Sequence, residues 1–194
     1  AHSNLGGILR DLGKLEEAEL STRKAIELNP DFADAHSNLG GILRDLGKLE
    51  EAELSTRKAI ELNPNIAEAH ATLGSILSDL DKLKDAELST RKAIVLNPNF
   101  AIAHSNLGNI LRDLGKLKDA EISYQKAIEL NPNFADAHSN LSHLELLKGD
   151  YQSGLENYEF RLNKKEPTIP QGTIKLKRVN NEKLEKGEKL LIIS

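Results

Sequence analysis

The chain has 194 residues, with 26 Lys/Arg against 30 Asp/Glu, no Cys, no Met and no Trp, and aromatic residues make up 4% of it. Without Cys there is no disulfide framework and no thiolate metal site, and so few aromatics argue against one large globular core. The longest apolar runs, Leu190 to Ile193 among them, are four residues and cannot span a membrane. Nothing at the N-terminus has the pattern of a signal peptide. A cytoplasmic protein with no membrane partner is expected, and the absence of Met is read as an initiator Met removed before Ala1 or, by preference, as the mark of a piece excised from a longer protein.

The segment AHSNLGGILRDLGKL at Ala1 returns letter for letter at Ala35, and the first thirty residues of the first two repeats are identical. His2, His36, His70, His104 and His138 are each 34 residues apart, as are Pro30, Pro64, Pro98 and Pro132. Such a period signals stacked units rather than one folded core. Within the first unit, Leu5, Ile8, Leu9 and Leu12 follow the i, i+3, i+4, i+7 spacing of an amphipathic helix. Gly13 punctuates it. A second helix is expected from about Leu15 to Leu28, with Ala18, Thr22, Ala25 and Ile26 on one face. Asn29-Pro30 ends it, because proline disfavours helical conformation in the residue before it. Asp31, Asn65, Asn99 and Asn133 are expected to cap the following helices. At the turn of repeat three Asp81 replaces Gly, a residue that tolerates the left-handed conformation, though less well.

The unit resembles the tetratricopeptide repeat (TPR). Its pattern of Trp-x2-Leu-Gly-x2-Tyr, Ala-x3-Phe and Pro over 34 residues is matched by His2-x2-Leu5-Gly6-x2-Leu9, Ala18-x3-Thr22 and Pro30. The resemblance covers about residues 1–163. It implies an all-α, right-handed superhelical solenoid of antiparallel helix pairs, with first helices lining the concave side. The expected units are residues 1–34, 35–68, 69–102 and 103–136, then a divergent fifth repeat or capping helices over 137–163.

The paired glycines Gly6 and Gly7 each cost roughly 1 kcal/mol relative to Ala in a helix interior. Gly6 borders the apolar stripe, where a missing side chain lets the partner helix come close. Gly7 shares the opposite face with Ser3, Asn4, Arg10 and Asp11, where its bareness would widen a groove for a ligand. An Asn amide both donates and accepts, so Asn4, Asn38, Asn106 and Asn140 would form a ladder with rungs about 10 Å apart that grips an extended peptide backbone. Thr72 interrupts it in repeat three. Arg44, Asp45, Arg112 and Asp113 repeat the charged positions of the same face. The alternative for this face is a plain solvated surface. The SNLG phrasing is similar to the TPR arrays of O-linked N-acetylglucosamine transferases, where an Asn ladder holds extended peptide. Protein or peptide ligands in extended conformation are therefore the expected partners.

Other chemistry is set aside. Five histidines fall one per repeat, too far apart to share an ion, and His138 and His143 lie five apart on a helix. No metal or cofactor is expected. No strand precedes Gly6-Gly7 to make a phosphate loop, and no nucleophile, base and orienter converge. No catalytic site is expected in this chain.

The last region changes character. GDYQSGLENYEFRL replaces the familiar second helix, with Gly154 in place of Ala. A linker over 164–189 carries Pro167 and Pro170, and KLLIIS closes the chain. Residues 164–194 hold eight Lys/Arg against four Glu, and the preceding residues hold 18 basic against 26 acidic groups, which does not suit nucleic acid. Tyr158-Glu159-Phe160-Arg161 and the linker resemble the junction of bacterial TPR glycosyltransferase-like proteins, which implies that residues 190–194 begin the first strand of a truncated α/β domain. Two alternatives to a peptide-binding scaffold follow: the substrate-recruiting arm of a glycosyltransferase, or a mainly self-associating array. A homodimer through the C-terminal tail or the array ends is the expected assembly if the chain pairs.

Overall fold

The computed structural model describes residues 2–160, with side chains from Leu5 onward. The linker, the KLLIIS strand, Arg161 and the tail-mediated dimer all lie outside the described residues. Among the described residues ten helices follow in pairs: α1 His2–Asp11 and α2 Leu15–Leu28, α3 Ala33–Asp45 and α4 Leu49–Leu62, α5 Ala67–Asp79 and α6 Leu83–Leu96, α7 Ala101–Asp113 and α8 Leu117–Leu130, α9 Ala135–Lys148 and α10 Tyr151–Glu159. The helices fall where the apolar spacing puts them.

The turn inside each pair needs a left-handed residue. Gly13, Gly47 and Gly115 have φ of 73°, 74° and 74°, and Asp81 holds the same place at 58°. At Gly47 the turn closes by Gly47 N–H to Arg44 O at 2.9 Å and Lys48 N–H to Leu43 O at 2.8 Å. That pair of bonds satisfies carbonyls left over at the helix end.

The turn between pairs differs from the expected cap. Phe32, Ile66, Phe100 and Phe134 stand at the helix starts, and none makes a side-chain capping bond. The Asn before each Pro works instead. Asn29 Oδ1 accepts from Asp31 N–H at 3.3 Å, and Asn63, Asn97 and Asn131 accept likewise from Asn65, Asn99 and Asn133. An Asn side chain can close a turn two residues on, so Asp31 and its equivalents contribute backbone rather than caps. The repeated histidine completes this turn. His36 Nε2 lies 2.9 Å from Pro30 O, and His70, His104 and His138 reach Pro64, Pro98 and Pro132 at 3.0 Å.

Alanine and glycine set the closeness of each pair. Ala18, Ala52, Ala86 and Ala120 are fully buried. A Cβ on Gly40 would strike Thr56 Oγ1 and come within 3.3 Å of Ala52 O. Gly6 and Gly74 meet the equivalent threonines, as expected of a position that lets the partner helix approach. Leu39, Leu43, Ala52 and Ile76 then form one of several small cores, each shared between neighbouring repeats. In α1 the equivalent stripe is bare, with Leu5, Ile8 and Leu12 exposed.

Candidate functional site

First helices pack backbone against backbone in series, α1 on α3, α3 on α5, α5 on α7 and α7 on α9, whereas among the described residues the backbones of successive second helices stay apart and only side chains such as Arg23 and Glu51 bridge them. The first helices therefore form the crowded inner row and the second helices the splayed outer row. One polar column of the inner row carries Asn38, Thr72, Asn106 and Asn140, all half-buried. Asn4 occupies the same register on α1 and Ser3 the position before it, both outside the described side chains. The column is not uniform. Asn106 Nδ2 donates to Ser75 Oγ at 3.0 Å across the repeat boundary, which leaves its Oδ1 as the acceptor.

The charged residues of this face are engaged with each other. Arg10 Nε donates to Asp45 Oδ2 at 2.6 Å, and Arg44 Nε donates to Asp79 Oδ2 at 2.6 Å, each reaching one repeat forward. The Arg10 guanidinium lies over Gly41, where a Cβ would stand 2.7 Å from its Nη1. At Gly41 the missing side chain therefore makes room for an arginine of the preceding repeat. At Gly7 a Cβ would meet nothing within 4 Å. Asp11 is exposed on α1. The series then breaks: Ser78 stands where Arg10 and Arg44 stand in the earlier repeats, and Leu147 stands where an aspartate would accept from Arg112. Arg112 turns to its own neighbour, with Nε 3.0 Å from Asp113 Oδ1.

Repeat four adds a feature of its own. Tyr124 replaces the threonine of the first three repeats, and its ring crosses α7 at Gly108, where a Cβ would stand 2.5 Å from Cδ1. Its hydroxyl reaches the inner row and donates to Asn109 Oδ1 at 2.8 Å. Burial pushes the phenol up to about 12, so it stays a donor. Nothing in the sequence beyond the Tyr at this position, which Tyr158 repeats in the fifth unit, announced that reach.

The outer row holds a second ladder. Lys48, Lys82 and Lys116 reach back to Glu19, Glu53 and Glu87 at 2.7–2.8 Å. Arg23, Arg57 and Arg91 hold the same carboxylates from one turn along the helix. Lys48 and then Arg23 keep the Glu19 carboxyl below its ordinary range against the opposing effect of its burial, and Glu53 and Glu87 behave alike.

Between successive second helices lie apolar clefts that sequence reasoning missed. One of 480 Å³ is floored by His36, Leu39 and Leu43 between α2 and α4, and one of 680 Å³ by His70, Leu73 and Leu77 between α4 and α6. Arg23 bridges the first to Glu51 at 2.8 Å. At the second the equivalent acid is the shorter Asp85, and Arg57 remains on Glu53. The signal was present as Leu20, Leu54, Leu88 and Ile122, apolar residues 34 apart that stand exposed on the outer row.

Among the described residues no helix is long and apolar enough to cross a membrane. Tyr158, Glu159 and Phe160 close α10, and the rest of the transferase-like junction is outside the described residues.

Family models described as tetratricopeptide repeat match residues 33–66, 101–134 and 123–156, and one described as TPR repeat matches 6–43. No curated protein matches. Among solved structures, MamA is 26% identical with a TM-score of 0.66, covering 81% of this chain and 92% of its own. YrrB, described as a TPR protein with an unusual peptide-binding site, is 25% identical with a TM-score of 0.61 and covers 84% of each chain. TTC0263, a thermophilic TPR protein of Thermus thermophilus, is 24% identical with a TM-score of 0.76, covering 84% of this chain and 90% of its own. With repeat models spanning more than half of its length on a solenoid of helix pairs, the chain belongs to the tetratricopeptide repeat family.

Proposed function

We propose that the chain is a protein-interaction scaffold whose inner row holds a peptide segment in extended conformation. The observation that carries this reading is the column of Asn38, Thr72, Asn106 and Asn140, half-buried polar side chains presented once per repeat. An amide can pair with a backbone C=O and N–H together, and equal spacing suits a chain without regard to its side chains. The mutual Arg–Asp pairs support the same division of labour, because they engage charged groups of this face with one another. YrrB, a fold relative described by its peptide-binding site, lends support. Recruitment of substrate to a glycosyltransferase domain is a special case of the same binding and uses the same face.

The test is selection of displayed random peptides on the full chain, followed by binding measurements on Asn38, Asn106 and Asn140 each changed to Ala. Each change is expected to weaken binding by roughly 0.5–1.5 kcal/mol with little loss of helicity. Unchanged affinity in all three variants refutes the reading.

A further inference from the structure

We propose that the inner row takes up an arginine side chain of its ligand at Asp113, where the ligand guanidinium supplies the rung that Ser78 omits. The proposal rests on the inner row being the peptide-binding face and adds a side-chain preference to it.

The internal repeats act as their own comparison. At the two preceding equivalents of Asp113, an arginine of the previous repeat lies across the inner row and binds the carboxylate: Arg10 on Asp45 and Arg44 on Asp79, both at 2.6 Å. The third equivalent keeps the carboxylate but replaces the arginine by Ser78, which has no guanidinium to give. Among the described residues Asp113 is bonded by Arg112 alone, through Oδ1. One carboxylate serving two cations is already the pattern of this protein, since Glu19 binds Arg23 and Lys48 together. Asp113 is as open as its paired equivalents, with side-chain exposure of 40% against 32% for Asp45 and 38% for Asp79. Asn109 stands in the register of Gly41 and Ser75; the Arg44–Asp79 pair forms with Ser75 there, so a side chain at this register does not prevent the pair, and the Tyr124 hydroxyl holds the Asn109 amide aside.

A ligand carboxylate on Arg112 is the competing arrangement at the same place, and charge decides between them. Residues 1–160 carry 17 Lys/Arg against 26 Asp/Glu. A field of that sign attracts cations and repels anions. Guanidinium is favoured over ammonium because its planar fork matches a carboxylate, as Arg10 and Arg44 already show.

The full chain is titrated with N-acetyl-arginine amide and, separately, with the neutral isostere N-acetyl-citrulline amide, following backbone amide resonances. The arginine probe is expected to shift Ser78, Asn109 and Asp113 selectively, and citrulline to leave them in place. Ser78→Arg fills the rung from within and Asp113→Asn removes its acceptor. Each is expected to weaken the probe by about fivefold, the factor of a single exposed charge pair. Because Asp113→Asn is nearly isosteric, it keeps the test valid if Ser78→Arg distorts α5. Equal response to citrulline, retention of binding in both variants, or equal shifts at Asp45 and Asp79 overturns the proposal. An acetylated, amidated Ser-Ala octapeptide reports separately on the backbone-holding face through the Asn38, Asn106 and Asn140 side-chain amides. Its failure to move them sinks that reading and leaves the arginine rung to be judged on the first probe.

Discussion

The junctions among the first four repeats and the packing of the fifth are made of different materials. Between repeats, exposed ion pairs recur in register: Lys48–Glu19, Lys82–Glu53 and Lys116–Glu87 outside, Arg10–Asp45 and Arg44–Asp79 inside. In the fifth repeat the ladder does not continue, and Asp150 stands in the lysine register. Leu155 stands where Glu121 and its predecessors stand, and Leu146 where Arg112 does. Lys148 still reaches Glu121, from two residues earlier than the ladder register. The α9–α10 pair instead relies on buried polar groups. His138 Nδ1 lies 2.7 Å from Asn157 Oδ1, and Asn157 Nδ2 donates to Glu145 Oε2 at 2.8 Å. The His138 ring stacks on Phe160 at 3.7 Å, and Gly154 gives way to Leu146, whose Cγ would lie 2.7 Å from an added Cβ. The difference teaches that repeat-to-repeat recognition here is a surface code, copied in each unit, while the last unit does not offer that code onward.

The sharpest way to break this comparison is Asn157→Ala. It leaves the buried Glu145 and His138 without their shared partner, and an orphaned buried polar group costs about 1–3 kcal/mol. The expected result is early hydrogen exchange across α10 with α3–α8 protected as before. Uniform loss of protection would mean that the last repeat is the keystone of the whole stack.

Gly40→Ala and Gly41→Ala form a smaller contrasted pair. The first drives a methyl into Thr56, and overpacking costs about 1–3 kcal/mol, partly offset by roughly 1 kcal/mol of helix propensity. The second displaces only the flexible end of Arg10 and is expected to be neutral or slightly stabilising. Thermal melts of the two variants, one residue apart, check both.

Lys82→Ala is expected to cost less than about 1 kcal/mol, the scale of an exposed pair, and the loss should fade at high salt. The same salt should scarcely affect Asn157→Ala. Denaturant curves at low and high ionic strength separate the two kinds of contact.

Acid gives the gentlest test, and the two regions respond with opposite sign. Glu19, Glu53 and Glu87 have folded pKa values below the ordinary 4.5. Their stabilisation is present above the unfolded value and is lost as pH falls through the folded one. Burial raises Glu145 above that value, so its contribution is present at low pH and is lost as pH rises through the folded value. Hydrogen exchange compared between neutral pH and a pH below 4.5 is expected to show α10 holding while the inter-repeat edges of α2, α4 and α6 loosen.

Much of this was legible beforehand. The period of 34, the turn glycines and Asn-Pro fix helices and turns through local backbone preference, so the helix pairs could be read directly. Asp81 was legible for the same reason, as a residue able to take φ of 58°. The amide column was legible because one register position in each first helix repeats. The capping role assigned to Asp31, Asn65, Asn99 and Asn133 was not, because Asn and Asp compete at adjacent positions and only the turn's geometry chooses between them.

By itself, then, the sequence determined the units, their order and the face each helix turns inward, since these follow from spacing along one chain segment. Only the tertiary structure decided which charges meet. Arg10 is next to Asp11 in sequence but pairs with Asp45, thirty-five residues on, because stacking brings the next inner helix alongside and leaves Gly41 bare beneath the guanidinium. The outer clefts have the same origin. They exist because second helices are held apart by the first helices between them, a distance set by packing across repeats and written in no single one.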